Sequence, residues 1–416
     1  MFAEILSTGE EIRTGATIDS NAAYIARKLE ETGIQVTRHS GVGDDLNTLE
    51  AVLREIAGRA DVAVITGGLG PTTDDLTTEA AARAVGTERV LDRGALESIE
   101  DFFKRRKRPM NPSNRKQALL PKGARCLPNP VGTAPGFCLA IGNCTCFFLP
   151  GVPAEMKTML TGEVLPTIVA LRGGGPAHAL TRTITTFGLT ESATGDRLAG
   201  FRTRFPDIQL GYRVQFPEIH IKFYLRGRDP GTLQQQAAQA ADWVSAKLGR
   251  KVLSLEGLSM DRVVADLLTR KQATVALAES CTGGLIAHLL TNVPGSSNYF
   301  LYSAVTYANQ AKIDVLGVSP ETLTQFGAVH EKTAMEMAAG VRRRAHAAYG
   351  LATSGIAGPD GGTEEKPVGT VCIALATPDE VFARRLYYNF ADRLRHKRVF
   401  AVAALDTLRR ELLAAP

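Results

Sequence analysis

A chain of 416 residues with 44% hydrophobic and 22% charged residues carries enough apolar material for two or three domains, each with a core of its own. No apolar run approaches the roughly 20 residues that span a bilayer, and the opening MFAEILSTGE has no signal-peptide pattern, so a cytoplasmic protein without membrane contact is expected. The six cysteines lack the density of a disulfide framework, the seven histidines lack metal-ligand spacing, and the net charge of +5 is too mild to demand a polyanionic partner.

The first half alternates strand-like and helical patterns. FAEILST reads as a strand; DSNAAYIARKLEETG reads as a helix with Ala23, Ala26 and Leu29 on one face and a stop at Gly33; IQVTRHSGVG is a strand again. LEAVLREIAGRA, DVAVITGGLG and TTDDLTTEAAARAVG repeat the cycle, which predicts a mostly parallel sheet covered on both faces. The glycine- and proline-rich LRGGGPAH at 171–178 reads as a linker that closes a domain spanning 1–170. A small α+β module is expected over 176–252, from the strand-like ALTRTITTFG and EIHIKFYLRG and the helical TLQQQAAQAADWVSAKLG. A third unit, again α/β, follows over 257–416. The predicted fold class is therefore α/β: two three-layer domains with mostly parallel sheets, joined by the small module.

KRRKRP at 104–109 packs five positive charges into one short run, a pattern that can bind phosphate backbones. No RNA-binding signature or interleaved aromatic accompanies it, so a solvated helix end stopped by Pro109 is expected and nucleic acid is not an expected partner.

VITGGLGPTTDDLT (64–77) predicts a strand, a glycine turn and a helix start, with Thr72 or Thr73 as N-cap. Amides exposed by such glycines beside a helix N-terminus form a cradle for phosphate, although neither a GK[ST] nor a GxGxxG pattern is present. Asp74 and Asp75 have two readings: favourable partners of the helix dipole, or ligands of a hard cation. Asp44 and Asp45 in GVGDDLN follow another strand and fall at the same sheet edge, which favours carboxylates gathered beside the phosphate cradle.

STGEEIRTGATIDSN, TGGLGPTTDDLT, NRKQALLP, NPVGTAPGF and LPGVPAEM, in this order, resemble the N-terminal domain of the CinA (competence/damage-inducible protein A) family, which is similar to molybdopterin-binding proteins. The resemblance implies a metal-dependent ADP-ribose pyrophosphatase using Mg²⁺, Mn²⁺ or Co²⁺. It places Thr66, Gly67, Gly68, Gly70, Asp19 and Asn21 at the phosphate and nucleotide, and Asp44, Asp74 and Asp75 at the metal. Glu10 departs from the family, which often has Asp there.

In the third unit AESCTGG (278–284) sets Glu279, Ser280, Cys281 and Thr282 side by side at the end of an apolar strand. Amides of Thr282, Gly283 and Gly284 lie close enough to Ser280 to offer an oxyanion hole. Cys281 is the rival nucleophile, since a helix N-terminus depresses a thiol pKa, but His288 lies too far along the helix to serve as its base. Lys312, after the strand-like run ending at Tyr307, is a base for Ser280 if it is desolvated, and an ordinary solvated lysine otherwise. The glycine-rich SGIAGPDGGTEEKPVGT (354–370) is a long loop between strands, suited to holding phosphate or carboxamide groups.

ESCTGG, GSSNYF, VTYANQAK, FGAV, SGIAGPDGGTEEKPVGTV and ADRLRHKR resemble the C-terminal amidohydrolase domain of the same family and the stand-alone nicotinamide-nucleotide amidase PncC. The resemblance implies hydrolysis of nicotinamide mononucleotide to nicotinate mononucleotide and ammonia, without a cofactor. By position it makes Ser280 the nucleophile, Lys312 its base and Tyr307 a hydrogen-bonding partner. Thr282, Gly283, Gly355, Ala357, Gly358, Gly361, Gly362 and Arg393 become ligand contacts. His330 stands where the family usually has serine and Ala391 where glycine is usual. Small nucleotides are the expected partners, and a homodimer the expected assembly.

Overall fold

A computed structural model describes residues 1–172 and 178–414, and it divides into two compact units, Met1–Leu180 with Leu225–Gln234 and Thr181–Tyr224 with Gln235–Pro416. The linker glycines expected at 173–175 lie outside the described residues. The stretch read as a separate small module therefore packs largely with the C-terminal unit.

The first unit is built on β1 (Phe2–Thr8), β2 (Gln35–Val42) and β3 (Val62–Thr66), with β4 (Arg89–Leu91) and β5 (Leu119–Pro121) forming a small antiparallel pair beside them. β6 (Arg125–Leu127), β7 (Gly136–Ile141) and β8 (Cys144–Leu149) complete a sheet of order β2-β1-β3-β8-β7-β6. Its first four strands run parallel, while β7 and β6 are antiparallel. Alternation along the strands splits the interior into two cores: Ala63 and Ile65 of β3 join one, and Val62 and Val64 the other. Asp19 caps the helix Ser20–Glu31, and Asp45 caps Leu46–Ala57 through the Thr48 amide. The buried stripe of the first of these helices is Ala22, Ile25 and Leu29, one residue before the expected Ala23 and Ala26.

In the second unit β9 (His178–Phe187), β10 (Gln209–Gln215), β11 (Glu218–Gly227) and β12 (Val252–Ser254) form a sheet of order β10-β11-β9-β12, with the helix Pro230–Leu248 after β11. β13 (Val275–Glu279), β14 (Phe300–Val305), β15 (Tyr349–Gly355), β16 (Thr370–Ala376) and β17 (Val381–Tyr387) form the other, of order β14-β13-β15-β16-β17. β14, β13 and β15 run parallel; β16 and β17 are antiparallel. Large residues of β13, Val275 and Leu277, face the helices Met260–Arg270 and Arg393–Ala414, whereas Ala276 and Ala278 face Glu331–Ala345. Small residues let that last helix approach closely: a Cβ at Gly350 would lie 2.2 Å from the Ala338 carbonyl oxygen.

No described helix is long and apolar enough to cross a membrane. The basic run ends the helix Arg93–Arg105 as expected, although the helix stops before Pro109 and Lys107 turns left-handed at φ 52°.

The start of the helix Met260–Arg270 is capped from outside. Ser259 makes no side-chain cap, and the Met260 amide instead donates to Glu218 at the head of β11, at 2.9 Å. Burial pushes this carboxyl from 4.5 up to about 7, with Asp261 adding to the rise and the Met260 amide opposing it. Because its pKa is higher folded than unfolded, Glu218 contributes stability that is fully present below 4.5 and lost as pH rises through about 7. Glu218→Gln keeps an acceptor for Met260 without a charge. Its melting temperature is expected to match the wild type near pH 4 and to exceed it by a few degrees near pH 8; a variant that melts lower near pH 8 would contradict this account.

Candidate active sites

In the second unit β13 is fully buried, and its end is held on both sides: the Ser280 amide donates to the Thr353 carbonyl at 3.0 Å and the Thr306 amide to the Glu279 carbonyl at 2.9 Å. The chain then reverses through Gly283 and Gly284, at φ 60° and 89°, into the helix Leu285–Thr291. Left-handed backbone of this kind is why two glycines stand there. Glu279 is completely buried and directs the turn: its carboxylate accepts from the amides of Gly284 (3.0 Å), Ile286 (3.1 Å) and Ala287 (2.9 Å). It is the N-terminal cap that Gly284 has no side chain to supply.

Ser280 follows at the mouth of this turn, and Lys312 Nζ lies 3.4 Å from its Oγ. Lys312 is almost wholly buried, on the helix Asn309–Leu316, and Nζ also donates to the carbonyls of Thr306 (2.9 Å) and Tyr307 (3.2 Å). Loss of hydration there lowers its pKa from the ordinary lysine range. The rival nucleophile lies in the core: Cys281 is buried, and desolvation pushes its thiol up to about 12. A thiol held that high remains protonated at neutral pH and is a poor nucleophile.

The predicted ligand contacts divide. Thr282 is buried, with its hydroxyl 2.8 Å from that of Thr353, so its side chain braces the turn and does not face a ligand. The Gly283 amide donates to the Ser280 carbonyl and the Gly284 amide to Glu279, which removes both from the expected oxyanion hole. The Thr282 amide has no hydrogen-bond partner among the described residues. Tyr307 meets Lys312 through its backbone carbonyl; its exposed hydroxyl accepts from Arg393 Nη2 at 2.9 Å, and Arg393 Nη1 donates to the Gly358 carbonyl at 2.5 Å. Arg393 thus ties Tyr307 to the glycine-rich loop that holds Gly355, Ala357, Gly358, Gly361 and Gly362. At Gly355 a Cβ would lie 2.5 Å from the Thr370 carbonyl oxygen, and at Gly362 2.7 Å from the Val368 amide nitrogen, so these glycines serve close packing of the loop on itself.

Two neighbours escaped sequence reading. Lys397 Nζ would lie 3.3 Å from a Cβ at Gly283, and His396 contacts the Ala357 carbonyl through Nδ1 at 3.0 Å. Both belong to the ADRLRHKR segment, where helical spacing from Arg393 was the available signal. His330, where serine is usual, takes over a serine's work: Nδ1 accepts from the Lys332 amide and caps the helix Glu331–Ala345, while its ring packs on Phe326 at 4.5 Å. Ala391 is exposed, and nothing in the structure distinguishes it from glycine.

In the first unit a cleft of about 440 Å³ opens at the carboxyl ends of β1, β3 and β8, lined among others by Thr8, Glu11, Asp44, Gly68, Gly70, Asp74, Asp75 and Gln117. The Gly67 amide is used by the Leu149 carbonyl, whereas those of Gly68, Leu69 and Gly70 have no partner among the described residues. Free neighbouring amides of this kind are what an anion cradle requires. The predicted helix start is displaced: the helix is Thr77–Ala84, and neither Thr72 nor Thr73 caps it. Asp75 instead accepts from the Thr72 amide at 2.8 Å and folds the loop on itself, with Lys116 donating to the Asp75 carbonyl at 2.9 Å.

A smaller adjoining recess is lined by Ser7, Asp19, Asn21 and Thr66. Asp19 is spent on capping and the Thr66 hydroxyl on the Pro150 carbonyl, but Ser7 Oγ and Asn21 Oδ1 are buried with no partner, which suits a polar ligand. Burial, with the charges of Glu11, Asp74 and Asp75, raises the Asp44 pKa, while the Glu10 amide opposes that rise. Among the described residues no three acids, cysteines or histidines converge closely enough to hold a metal ion. Asp44, Asp74 and Asp75 therefore share a cleft without forming a coordination set of their own. Glu11, Thr8 and Gln117 join them, and no motif spacing had singled these three out.

Two family models match the chain, one described as the CinA C-terminal domain over residues 258–412 and one as a probable molybdopterin binding domain over residues 4–170. A CinA-like protein of Desulfosudis oleivorans is 57% identical over 413 residues, covering 99% of this chain and 100% of its own. The chain belongs to the CinA family. A CinA-like protein of Geobacter metallireducens is 44% identical and covers 100% of both chains. A solved structure of a competence/damage inducible protein from Agrobacterium tumefaciens is 42% identical and covers 37% of this CinA-family chain and 92% of its own, with a TM-score of 0.35.

Glu279→Ala leaves three amides without their buried acceptor. Charge-assisted hydrogen bonds of this kind predict a loss of about 3 kcal/mol in urea unfolding of the second unit. A loss below about 0.5 kcal/mol would show that the turn does not depend on this carboxylate.

Proposed function

We propose that this CinA-family chain is a bifunctional enzyme of pyridine-nucleotide salvage, whose second unit hydrolyses the carboxamide of nicotinamide mononucleotide to nicotinate mononucleotide and ammonia. The observation that carries this reading is the Lys312–Ser280 contact in a desolvated setting. With two N–H bonds of a neutral amine directed at the Thr306 and Tyr307 carbonyls, its lone pair is left for Ser280. Lys312 takes the proton of Ser280 Oγ as that oxygen attacks the carboxamide carbon. The Thr282 amide, the one of the three expected donors left unspent, stabilises the tetrahedral oxyanion in this reading, and Lys312 returns the proton to the departing ammonia. Water then cleaves the acyl ester with Lys312 again as base. Burial supports this role because a lysine must be neutral to accept a proton, and its lowered pKa increases the neutral fraction.

For the first unit the amide cradle, the unpartnered Ser7 and Asn21 atoms and the raised Asp44 support a phosphate-bearing nucleotide as ligand, with ADP-ribose pyrophosphatase activity as the reading. A divalent metal (Mg²⁺, Mn²⁺ or Co²⁺) belongs to that reading as an expectation.

Ser280→Ala and Lys312→Met are each expected to reduce ammonia release from nicotinamide mononucleotide by about 10²-fold or more, while Cys281→Ala keeps activity near wild type. Wild-type rates in Ser280→Ala together with loss in Cys281→Ala would overturn the assignment. The dependence of kcat/KM on pH should rise along a limb centred below the ordinary lysine range, because only neutral Lys312 acts. For the first unit, phosphate-ester products released from ADP-ribose are expected to vanish with a chelator and to fall in Asp44→Asn; a rate indifferent to both would remove the pyrophosphatase reading.

A further inference from the structure

The hairpin joining β10 to β11 belongs by sequence to the small module, yet its tip is built into the C-terminal domain. Phe216 meets Phe390 edge-on, with centroids 5.1 Å apart and planes at 88°. The Arg395 guanidinium lies over both rings, 4.5 Å from Phe216 and 5.1 Å from Phe390. Immediately after the tip, Glu218 caps the helix Met260–Arg270. The hairpin is therefore anchored at two points, one of them the first turn of the helix Arg393–Ala414.

That turn is where the loop contacts of the candidate amidase site converge. Arg393 holds the Tyr307 hydroxyl and the Gly358 carbonyl. His396, three residues on, is buried; it reaches the Ala357 carbonyl through Nδ1 and the Tyr388 carbonyl through Nε2 at 2.8 Å, and packs between Phe390 and Phe400. Arg395 lies between these two residues in sequence and packs on Phe216 and Phe390. The turn is thus held by the aromatic clamp and grips the glycine-rich loop, with Phe390 touched by both Arg395 and His396.

We propose that Phe216 is a positioning residue for the amidase site: through Arg395 and Phe390 it fixes the first turn of the helix Arg393–Ala414, and thereby the 355–362 loop and Tyr307. Phe216 touches no reacting group, and its effect on catalysis rests on the amidase reading given above. Its effect on the loop does not.

One aromatic pair and one cation–π contact together are worth about a tenfold change in an equilibrium. In the full chain, Phe216→Ala is expected to speed hydrogen exchange at residues 355–362 and 393–396 and to raise KM for nicotinamide mononucleotide about tenfold, with kcat changed less than about twofold. Phe216→Tyr, which keeps the ring, should restore both. Arg395→Met leaves the ring pair in place and should show the same pattern at smaller amplitude, so the inference stays open to test even where Phe216→Ala folds poorly. Unchanged exchange at 355–362 and 393–396 in well-folded Phe216→Ala and Arg395→Met overturns it, as does a kcat loss without a KM change. If the wild type releases no ammonia, the amidase reading falls, while the exchange measurement still decides whether the clamp orders the loop.

Discussion

The buried Glu279 carboxylate is the constraint from which the C-terminal site follows. A charge completely removed from water is tolerable only when its lone pairs are filled, and here three backbone amides fill them. Those amides become available only if the chain stops being a strand at residue 279 and begins a helix within a few residues, which forces the double-glycine reversal. Ser280 lies buried at the mouth of that reversal, within reach of Lys312, while its neighbours on both sides are committed: Glu279 to the cap, Cys281 to the core and Thr282 to Thr353.

Burial then sorts the chemistry. The same loss of hydration that raises Cys281 lowers Lys312, because it penalises whichever form is charged. A thiol is thereby held protonated and an amine shifted toward its neutral form within one shell of side chains. On the proposed amidase reading, such an environment favours the serine, intrinsically the weaker nucleophile, over the cysteine beside it. In the first unit desolvation also raises Asp44, but there the cleft is open and the loop amides at Gly68 to Gly70 are unspent, which suits an anionic ligand that brings its own charge.

Much of the fold was legible in the sequence because strands such as VAVIT and VALAE are short continuous apolar runs set between helical patterns, and their alternate residues enter separate cores. Ser280, Lys312 and the glycine-rich loops were legible as candidates because motifs carry them, and the structure brings the first two into contact. Capping was not: Asp19, Glu279 and Glu218 all read as candidate acids or as nothing, and only geometry shows them holding helix starts. The displaced helix at Thr77 has the same origin, since Asp75 satisfies the Thr72 amide within the loop and removes the reason for a helix to begin there. The oxyanion-hole expectation erred because a tight turn consumes amides for its own closure, as those of Gly283 and Gly284 are consumed.

Long-range placement was the remaining hidden quantity. Phe216 and Arg395 lie far apart in the chain, and although Arg395 falls within ADRLRHKR, Phe216 belongs to no motif, so no local pattern joins them. The sheet of the small module turns its β10–β11 hairpin toward the helix Arg393–Ala414, and the Glu218 cap fixes that approach. A helix whose first turn must grip a glycine-rich loop gains from external bracing, because that loop contributes few side chains to pack. Bracing from a neighbouring module adds rigidity without placing any further group in the cleft, where it would compete with a nucleotide for space.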